Sequence, residues 1–263
     1  MKVGIIGCGF IGNEIVDFID KSKELKLIGL NDVDKNKVNY LIKNLRNNKP
    51  KFMDLDILIK KCDLIAESAT KNIVKDILSN KNLDKKNKKL LIMSTGGLIS
   101  NLNLLNKIKN CEILLPSGAI AGLDAIKSVS GKIKSLTLNT TKPIKGLQGA
   151  PYIVENNIDL QNLTKVAVIF EGGLKEAVEG FPQNINVAAT LYLASKFDDV
   201  KVKIVADPDT KFNTHEIQAE GDFGIIKTVT QNLPSKNPKT SYLAVLSAIH
   251  TIKNLKNNIK IGN

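Results

Sequence analysis

The chain has 263 residues, of which 43% are hydrophobic, and a formal net charge of +12 at pH 7. This content suffices for one large or two smaller packed domains, and no apolar stretch approaches the roughly 20 residues that a membrane span needs. The lysines are scattered, Arg46 is the one arginine and tryptophan is absent, so the usual contacts to nucleic acid are nearly lacking. We predict no nucleic-acid partner, no membrane segment and, without a cleavable signal pattern, a cytoplasmic location.

The three cysteines are odd in number and lie in or beside apolar segments. Cys8, Cys62 and Cys111 also lack the spacing of metal ligands. We expect reduced, buried thiols and no metal site.

A glycine-rich turn lies between two predicted parallel strands, at 3–6 and 25–30. Gly7 suits the tight turn, Gly9 allows the backbone to approach a pyrophosphate, and Gly12 allows a helix to pack closely on the strand. The N–H groups at the helix start and Asp32, 20 residues beyond Gly12, would bind phosphate and ribose. The predicted dinucleotide contacts are Gly7, Gly9, Phe10, Ile11, Gly12 and Asp32.

Strands and helices continue to alternate as far as about residue 116. We predict helices at 34–49 and 73–78, and strands at 62–69, 90–97 and 111–116 that end in small or polar residues. The alternation predicts a Rossmann-type, doubly wound parallel sheet with its ligand at the carboxyl ends of the strands. Ala66 and Ser68, at one such end, are further candidates for cofactor binding.

The pattern changes near residues 122–124 to polar and apolar residues in alternation, as in half-buried antiparallel strands. This indicates a second α+β domain built on a mostly antiparallel sheet. We expect a dinucleotide-binding domain at 1–121, a catalytic and dimerisation domain at 122–239, and a C-terminal helix within 240–263 that packs back on the first domain. The predicted elements are strands at 135–141, 200–206, 212–219 and 223–231 and helices at 186–195 and 242–255.

Two histidines are available for acid/base chemistry near neutral pH. His250 lies in an apolar helical stretch, where a packed or partly exposed side chain is the simpler interpretation. His215 lies in a predicted strand whose alternation places it on one face with Asn213 and Ile217. Spacing alone leaves a catalytic His215 facing the nicotinamide and an exposed sheet histidine about equally supported.

Several motifs together resemble the L-aspartate dehydrogenase family over most of the chain. The segments GFPQNINVAA at 180–189 and HEI at 215–217 are more specific than the glycine turn, and others lie at 66–69, 94–98, 116–124, 141–143 and 149–151. The resemblance implies NAD(P)-dependent oxidative deamination of L-aspartate to iminoaspartate or oxaloacetate and ammonia, feeding nicotinamide cofactor synthesis. It also implies a homodimer, cofactor contacts at Ala119 and Asn186, and His215 as the catalytic residue.

The cofactor and substrate contacts are less completely defined. Family members often carry a basic residue after the acid at the strand end, whereas Val33 follows Asp32 here, so we expect NAD. Lys35 and Lys37 leave NADP possible, because a lysine attracts a phosphate without bidentate geometry. The candidates for the substrate carboxylates are Lys142, Ser117 and Asn184.

Two other functions remain open at this stage. One is a related imine reductase resembling dihydrodipicolinate reductase, although that family's paired histidines and Lys-x-Asp-Ala-Pro-Ser-Gly segment are absent and only residues 116–118 match it. The other is a non-catalytic protein that senses NAD. The presence of His215 and of the segment around Asn186 counts against the second.

Overall fold

The computed structural model describes residues 1–182, 185–235, 240–259 and 261. The chain forms two compact units: unit 1 comprises Met1–Pro116 and Ala248–Leu255, and unit 2 comprises Ser117–Ser247 and Lys256–Asn263. Residues 117–121, which we assigned to the first domain, fall in unit 2 by this division. No helix among the described residues is long and apolar enough to cross a membrane.

Unit 1 is built on a six-stranded parallel sheet with the strand order β3-β2-β1-β4-β5-β6. This order confirms the predicted Rossmann-type fold and places its switch point between β1 and β4. The strands are β1 (Lys2–Ile6), β2 (Lys26–Asn31), β3 (Lys51–Phe52), β4 (Leu64–Glu67), β5 (Lys89–Ile92) and β6 (Glu112–Leu114). The helices are α1 (Phe10–Asp20), α2 (Lys35–Asn44), α3 (Leu55–Lys61), α4 (Lys71–Leu78), α5 (Gly96–Ile99) and α6 (Leu102–Leu105).

Helix α1 packs one apolar face on the sheet. Ile15 and Ile19 have no exposed surface and join Val3, Ile5 and Leu30 in the apolar core of this unit. Their spacing of four residues places Ile15 and Ile19 on the same side of the helix. Burial of side chains of this size stabilises the fold by roughly 1.5–3 kcal/mol each.

Helix α2 ends at Asn44, so the prediction of a helix over 34–49 was too long. The carboxylate of Asp20, at the end of α1, accepts the backbone N–H groups of Arg46, Asn47 and Asn48 at 2.9, 3.1 and 2.7 Å. These donors satisfy a buried carboxylate and hold the segment after α2 in an irregular conformation. A contact distant in the sequence therefore ends the helix earlier than its polar pattern suggests.

Unit 2 is built on a five-stranded mixed sheet with the order β11-β10-β7-β9-β8. Three of its four pairings are antiparallel and β7 with β9 is parallel, which confirms the predicted mostly antiparallel sheet. The strands are β7 (Ile133–Lys142), β8 (Ala167–Gly173), β9 (Val200–Ala206), β10 (Asn213–Gly221) and β11 (Gly224–Asn232). The helices are α7 (Leu123–Ser128), α8 (Ile144–Leu147), α9 (Pro151–Glu155), α10 (Leu174–Gly180) and α11 (Asn186–Ser195).

The two faces of this second sheet differ in exposure. On the inner face, alternate residues of the central strands are buried, and they change from apolar residues such as Leu138 and Ile217 to polar ones at one end of the sheet. On the opposite face, which we call the outer face, Val229 of β11 pairs with Glu216 of β10 and is 61% exposed. The inner face supplies the core of unit 2, and its polar end is a candidate site.

The last described helix, α12 (Tyr242–Asn254), belongs to both units. Ala248 and Ile252 join the apolar core of unit 1, and Lys253 lies over the ring of Phe18, 5.2 Å from its centroid. Ser247, one residue earlier, belongs to unit 2. The chain thus returns to its first sheet near its C-terminal end.

Candidate active site

The glycine turn of unit 1 has the geometry that its sequence predicts. Gly7 has a φ of +91°, and a Cβ there would lie 2.6 Å from the Ala69 nitrogen. A Cβ on Gly12 would lie 1.9 Å from the Gly7 carbonyl oxygen, whereas one on Gly9 would meet nothing within 4 Å. Gly7 and Gly12 are therefore needed for the fold, and the open space at Gly9 leaves the backbone accessible to a ligand.

Helix α1 begins immediately after this turn, with Gly9 as its N-cap. Phe10 and Ile11, the first two helical residues, are half-buried, and first-turn N–H groups have no partner within an α-helix. These N–H groups and the positive end of the helix dipole suit a phosphate. The turn thus fits the pyrophosphate of a dinucleotide.

Asp32 follows β2 and is tied to the glycine turn. Its carboxylate accepts the backbone N–H of Cys8 at 2.6 Å and that of Asp34 at 2.8 Å. A carboxylate oxygen can accept more than one hydrogen bond, so capacity remains for ribose hydroxyl groups. Val33, the next residue, is fully exposed and supplies no positive charge beside this carboxylate.

The end of β4 lies against the same turn. Ser68 donates its hydroxyl to the Gly7 carbonyl oxygen at 3.0 Å, and its backbone N–H to the Ile6 carbonyl oxygen at 2.8 Å. Ala66 is fully buried within β4. The structure thus brings Ser68 to the glycine turn, and it leaves Ala66 in the interior of the sheet.

The cysteine inside the glycine turn is not activated. Cys8 is buried, and burial together with the nearby charge of Asp32 raises the pKa of its thiol to about 12. Cys62 and Cys111 are also buried free thiols, as predicted. A thiol protonated at neutral pH is a poor nucleophile.

His215 occupies the polar end of the inner face in unit 2. It is 3% exposed, and its Nδ1 lies 3.0 Å from the Thr140 hydroxyl on the adjacent strand β7. Burial and the nearby charge of Lys142 lower the pKa of His215 to about 3. The imidazole is therefore neutral near pH 7, and its hydrogen bond to Thr140 orients the ring.

Lys142 is the last residue of β7 and lies on the same inner face as Thr140, two positions away. Only 3% of its surface is exposed, and burial lowers the pKa of its ammonium group to about 8. A buried cation beside a neutral histidine can bind an anionic group and stabilise its charge. The structure thus brings Lys142 and His215 together on the inner face of the sheet.

Residues 117–121 are fixed against the edge strand β11. The Ala119 carbonyl oxygen accepts the Thr230 hydroxyl at 2.8 Å and the Asn232 side-chain amide at 2.9 Å. The Ser247 hydroxyl lies 3.0 Å from both the Ser117 hydroxyl and the Gly118 nitrogen. These contacts hold Ala119 buried and leave Ser117 largely exposed.

Asn186 is the first residue of α11 and is half-buried, and its carbonyl oxygen accepts the Thr190 hydroxyl at 2.8 Å. Asn184 lies outside the described residues. His250 is exposed on α12, where its Nε2 is 2.8 Å from the Asn254 amide nitrogen, so it is not a core histidine. Among the described residues, no cluster of histidine, cysteine or acidic side chains could hold a metal ion.

The partners of these candidates were not found from the sequence. Thr140 and Asn232 hold His215 and Ala119, and each lies more than 70 positions from the residue it contacts. The alternation within 135–141, extended by one residue, would have placed Thr140 and Lys142 on one face. The pairing of that face with His215 requires the strand register, which the sequence does not specify.

A family model matches each of the two units. Residues 124–255 match the family model of the aspartate dehydrogenase C-terminal domain, and residues 7–112 match that of the homoserine dehydrogenase NAD-binding domain. The chain belongs to the aspartate dehydrogenase family. Unit 1 accordingly contains an NAD-binding domain, and neither the imine reductase nor the non-catalytic NAD sensor is favoured.

Relatives match over the whole chain. L-aspartate dehydrogenase of Methanosarcina mazei is 44% identical over 100% of this chain and 99% of its own length. That of Nitrosopumilus maritimus is 40% identical over 99% of each chain. The crystal structure of aspartate dehydrogenase from Thermotoga maritima has a TM-score of 0.73 and 26% identity, covering 100% of this chain and 99% of that one.

Proposed function

We propose that the protein is an NAD-dependent L-aspartate dehydrogenase. L-aspartate, water and NAD⁺ would give oxaloacetate, ammonium, NADH and a proton, with iminoaspartate as the intermediate. The observation that carries this proposal is the buried pair of His215 and Lys142 in unit 2 of a chain whose unit 1 has a dinucleotide-binding turn. A neutral base beside a buried cation suits the deamination of an anionic amino acid.

Lys142 would bind a carboxylate of the substrate. L-aspartate carries two carboxylates, and a carboxylate beside the ammonium group offsets the cost of burying that charge. The same negative charge opposes the effect of Lys142 on His215, so the pKa of His215 would rise when substrate is bound. Ser117 and Asn184 remain weaker candidates for the second carboxylate.

His215 would move the protons of the reaction. The substrate amine must be neutral before hydride leaves Cα, and water must then lose a proton as it adds to the imine. A neutral imidazole within reach can accept each proton in turn, and such catalysis contributes typically 10²–10⁴-fold. Thr140 would hold the ring in the required orientation through Nδ1.

NAD, when bound, supplies the acceptor for the Cα hydride. Its pyrophosphate would be held by the glycine turn, Gly7, Gly9 and Gly12, and by the N–H groups of Phe10 and Ile11. Ser68, after β4, would stabilise the turn through its hydrogen bond to Gly7. Asp32 would bind the adenosine ribose and repel the 2′-phosphate of NADP. The fully buried Ala66 would provide space for neighbouring backbone rather than a ligand contact.

The remaining roles rest on the resemblance alone. Ala119 and Asn186 would contact the cofactor, and the amide of Asn186 suits the carboxamide of nicotinamide through its paired donor and acceptor. The homodimer, the cytoplasmic location and the absence of a nucleic-acid partner also remain predictions.

The direct test is absorbance at 340 nm with purified protein, NAD and L-aspartate. We expect the signal to grow with L-aspartate and to stay flat with D-aspartate, L-glutamate and L-alanine at the same concentrations. NADP in place of NAD should give a slower reaction at equal concentration. An absorbance increase with L-alanine but not with L-aspartate would contradict the proposed substrate. Equal binding constants for NAD and NADP would contradict the role of Asp32.

A further inference from the structure

One buried carboxylate in unit 1 has no part in the chemistry described so far. Glu67 is the last residue of β4 and pairs with Ile6, the last residue of β1, at the switch point of the parallel sheet. The side chain has no exposed surface. A carboxylate in such a position is costly unless several donors satisfy it.

Hydrogen-bond donors from two loops converge on the Glu67 carboxylate. The backbone N–H of Ala69, in the loop after β4, donates to Oε1 at 2.8 Å. Ser94, in the loop after β5, donates its backbone N–H to Oε2 at 3.0 Å and its hydroxyl to Oε1 at 2.8 Å. Burial raises the pKa of Glu67, and the hydrogen bonds from Ser94 oppose this rise only in part. Both carboxylate oxygens act as acceptors in this arrangement.

The same two loops are packed tightly at two further points. The Ala69 nitrogen lies 2.6 Å from where a Cβ of Gly7 would be, so the loop after β4 rests on the glycine turn. A Cβ on Gly97, the second residue of α5, would lie 2.6 Å from the carbonyl oxygen of Lys71, the first residue of α4. The loop after β4 and the helix after the β5 loop are thus closely packed against their neighbours, and the Glu67 side chain connects the two loops directly.

We propose that Glu67 is a positioning residue for the nicotinamide half of the cofactor. In a doubly wound sheet of this order the dinucleotide lies across the switch point, with one mononucleotide on each half of the sheet. Asp32 and the glycine turn serve the adenosine half. The loops after β4 and β5, which Glu67 joins, belong to the other half. This inference rests on the proposed use of NAD and concerns residues of unit 1 alone.

The substitution Glu67→Gln tests this role because it keeps the size and removes one acceptor. The side-chain amide must then point an N–H toward the N–H of Ala69 or of Ser94, which separates the loops. NADH affinity would be measured by fluorescence titration, and the affinity for ADP-ribose, which lacks nicotinamide, by calorimetry. We expect the Kd of NADH to rise about 10-fold and that of ADP-ribose to stay within about twofold.

Two further variants complete the test. Glu112→Gln makes the same change on the exposed side of β6 and should leave both affinities unchanged. Ser94→Ala removes the hydroxyl donor to Oε1 and should raise the Kd of NADH about two- to threefold. This variant decides the question if Glu67→Gln does not fold.

Unchanged NADH affinity in Glu67→Gln, or in Ser94→Ala where that variant decides, would overturn the proposal. So would a parallel loss of NADH and ADP-ribose affinity, because it would indicate general damage to the unit. These titrations contain no L-aspartate. Unmodified protein that binds NADH but does not oxidise L-aspartate would contradict the proposed function and leave this inference standing.

Discussion

His215 and Lys142 lie on the buried face of a sheet, where water does not solvate their charged forms. Burial lowers the pKa of both, to about 3 and about 8, and the lysine adds to the effect on the histidine. The imidazole is consequently unprotonated at neutral pH, whereas the ammonium group of Lys142 is mostly protonated. A buried positive charge suits an anionic substrate.

Replacing His215 with alanine should remove proton transfer and leave cofactor binding intact. We expect turnover to fall by roughly two to four orders of magnitude, the usual contribution of one general acid/base. The Kd of NADH should be nearly unchanged, because His215 lies in unit 2 and the glycine turn in unit 1. Steady-state kinetics and NADH titration check this. His250→Ala is the control: its side chain is exposed, and near-normal turnover in His215→Ala with loss in His250→Ala would reverse the assignment.

Lys142→Met should abolish activity and stabilise the protein below about pH 8. In the folded chain the lysine loses its proton near pH 8, whereas in the unfolded chain it keeps the proton to about 10.5. Between these values the unfolded chain binds more protons, so the free energy of unfolding rises with pH and the penalty of the lysine shrinks. We expect a gain on the order of 2 kcal/mol at pH 7.

Urea unfolding of both proteins at pH 7 and pH 10 measures this difference. The stability that Lys142→Met gains over the parent protein should be smaller at pH 10 than at pH 7. A variant less stable than the parent at pH 7 would show that the lysine contributes more through contacts than it costs through burial.

At the scale of secondary structure, the sequence predicted elements whose residues repeat regularly and missed those set by distant contacts. The bounds of β9 and α11 match the predicted 200–206 and 186–195. Strand β8 was not predicted because a bulge between Val168 and Phe170 buries Ile169 and Phe170 together and breaks the alternation. Strand β3 has two residues, too few for any period.

The site was predictable to a similar extent. The glycine turn is a local signal and could be located from its spacing, and the candidate His215 also came from a short segment. Thr140, Asn232 and Glu67 act through hydrogen bonds to residues elsewhere in the chain. An acid among small and apolar residues at the end of a strand was the available signal for Glu67.

The glycine turn allows fold and ligand contacts to be separated experimentally. Gly12→Ala places a Cβ 1.9 Å from the Gly7 carbonyl oxygen and should destabilise unit 1 and prevent NADH binding. Gly9→Ala meets open space and has a φ of −76°, which alanine adopts, so its thermal stability should be unchanged. Its Cβ would enter the space proposed for the pyrophosphate, and NADH affinity should fall at least 10-fold. Thermal melts and NADH titration of the two variants test this contrast.

Asp20 should stabilise the protein by binding the segment that follows α2. Asp20→Ala leaves the N–H groups of Arg46, Asn47 and Asn48 without their acceptor, and we expect a loss of about 2–3 kcal/mol. Burial alone would raise the pKa of Asp20, but the bond from Arg46 and those from Asn48 and Asn47 lower it below its usual value. Its contribution is therefore present above about pH 4 and is lost as pH falls further.

Urea denaturation at pH 7 and pH 3 checks this dependence. Asp17 is exposed and pairs with Lys21, the residue after the end of α1, so Asp17→Ala should lower the free energy of unfolding by less than about 0.5 kcal/mol. Equal losses in the two variants would contradict the role of the buried carboxylate.

At the scale of the whole molecule, the outer face of the second sheet offers a surface for self-association. Ile225 and Val229 on β11 and Val168 on β8 are more than half exposed, and charged residues such as Glu216 and Lys203 lie between them. An open sheet face with apolar side chains favours pairing with a second sheet. We expect a homodimer formed through this face.

Sedimentation velocity at micromolar concentration tests this assembly. The protein should sediment as a dimer, and Val229→Lys should shift it toward monomer by placing a charge within the contact. Val154→Lys is the matched control, since Val154 is equally exposed but lies on α9. A monomer at all concentrations, or dissociation by Val154→Lys alone, would contradict the proposed face.

The return of α12 to unit 1 sets the order in which a nascent chain can be completed. Strands β1 to β6 leave the ribosome first, but Ala248 and Ile252 of their apolar cluster follow only after all of Ser117–Ser247 has been made. At usual synthesis rates this interval is roughly ten seconds, during which the cluster is unfinished and accessible to chaperones. Most of unit 1 is thus translated before unit 2, but its apolar core is completed only afterwards.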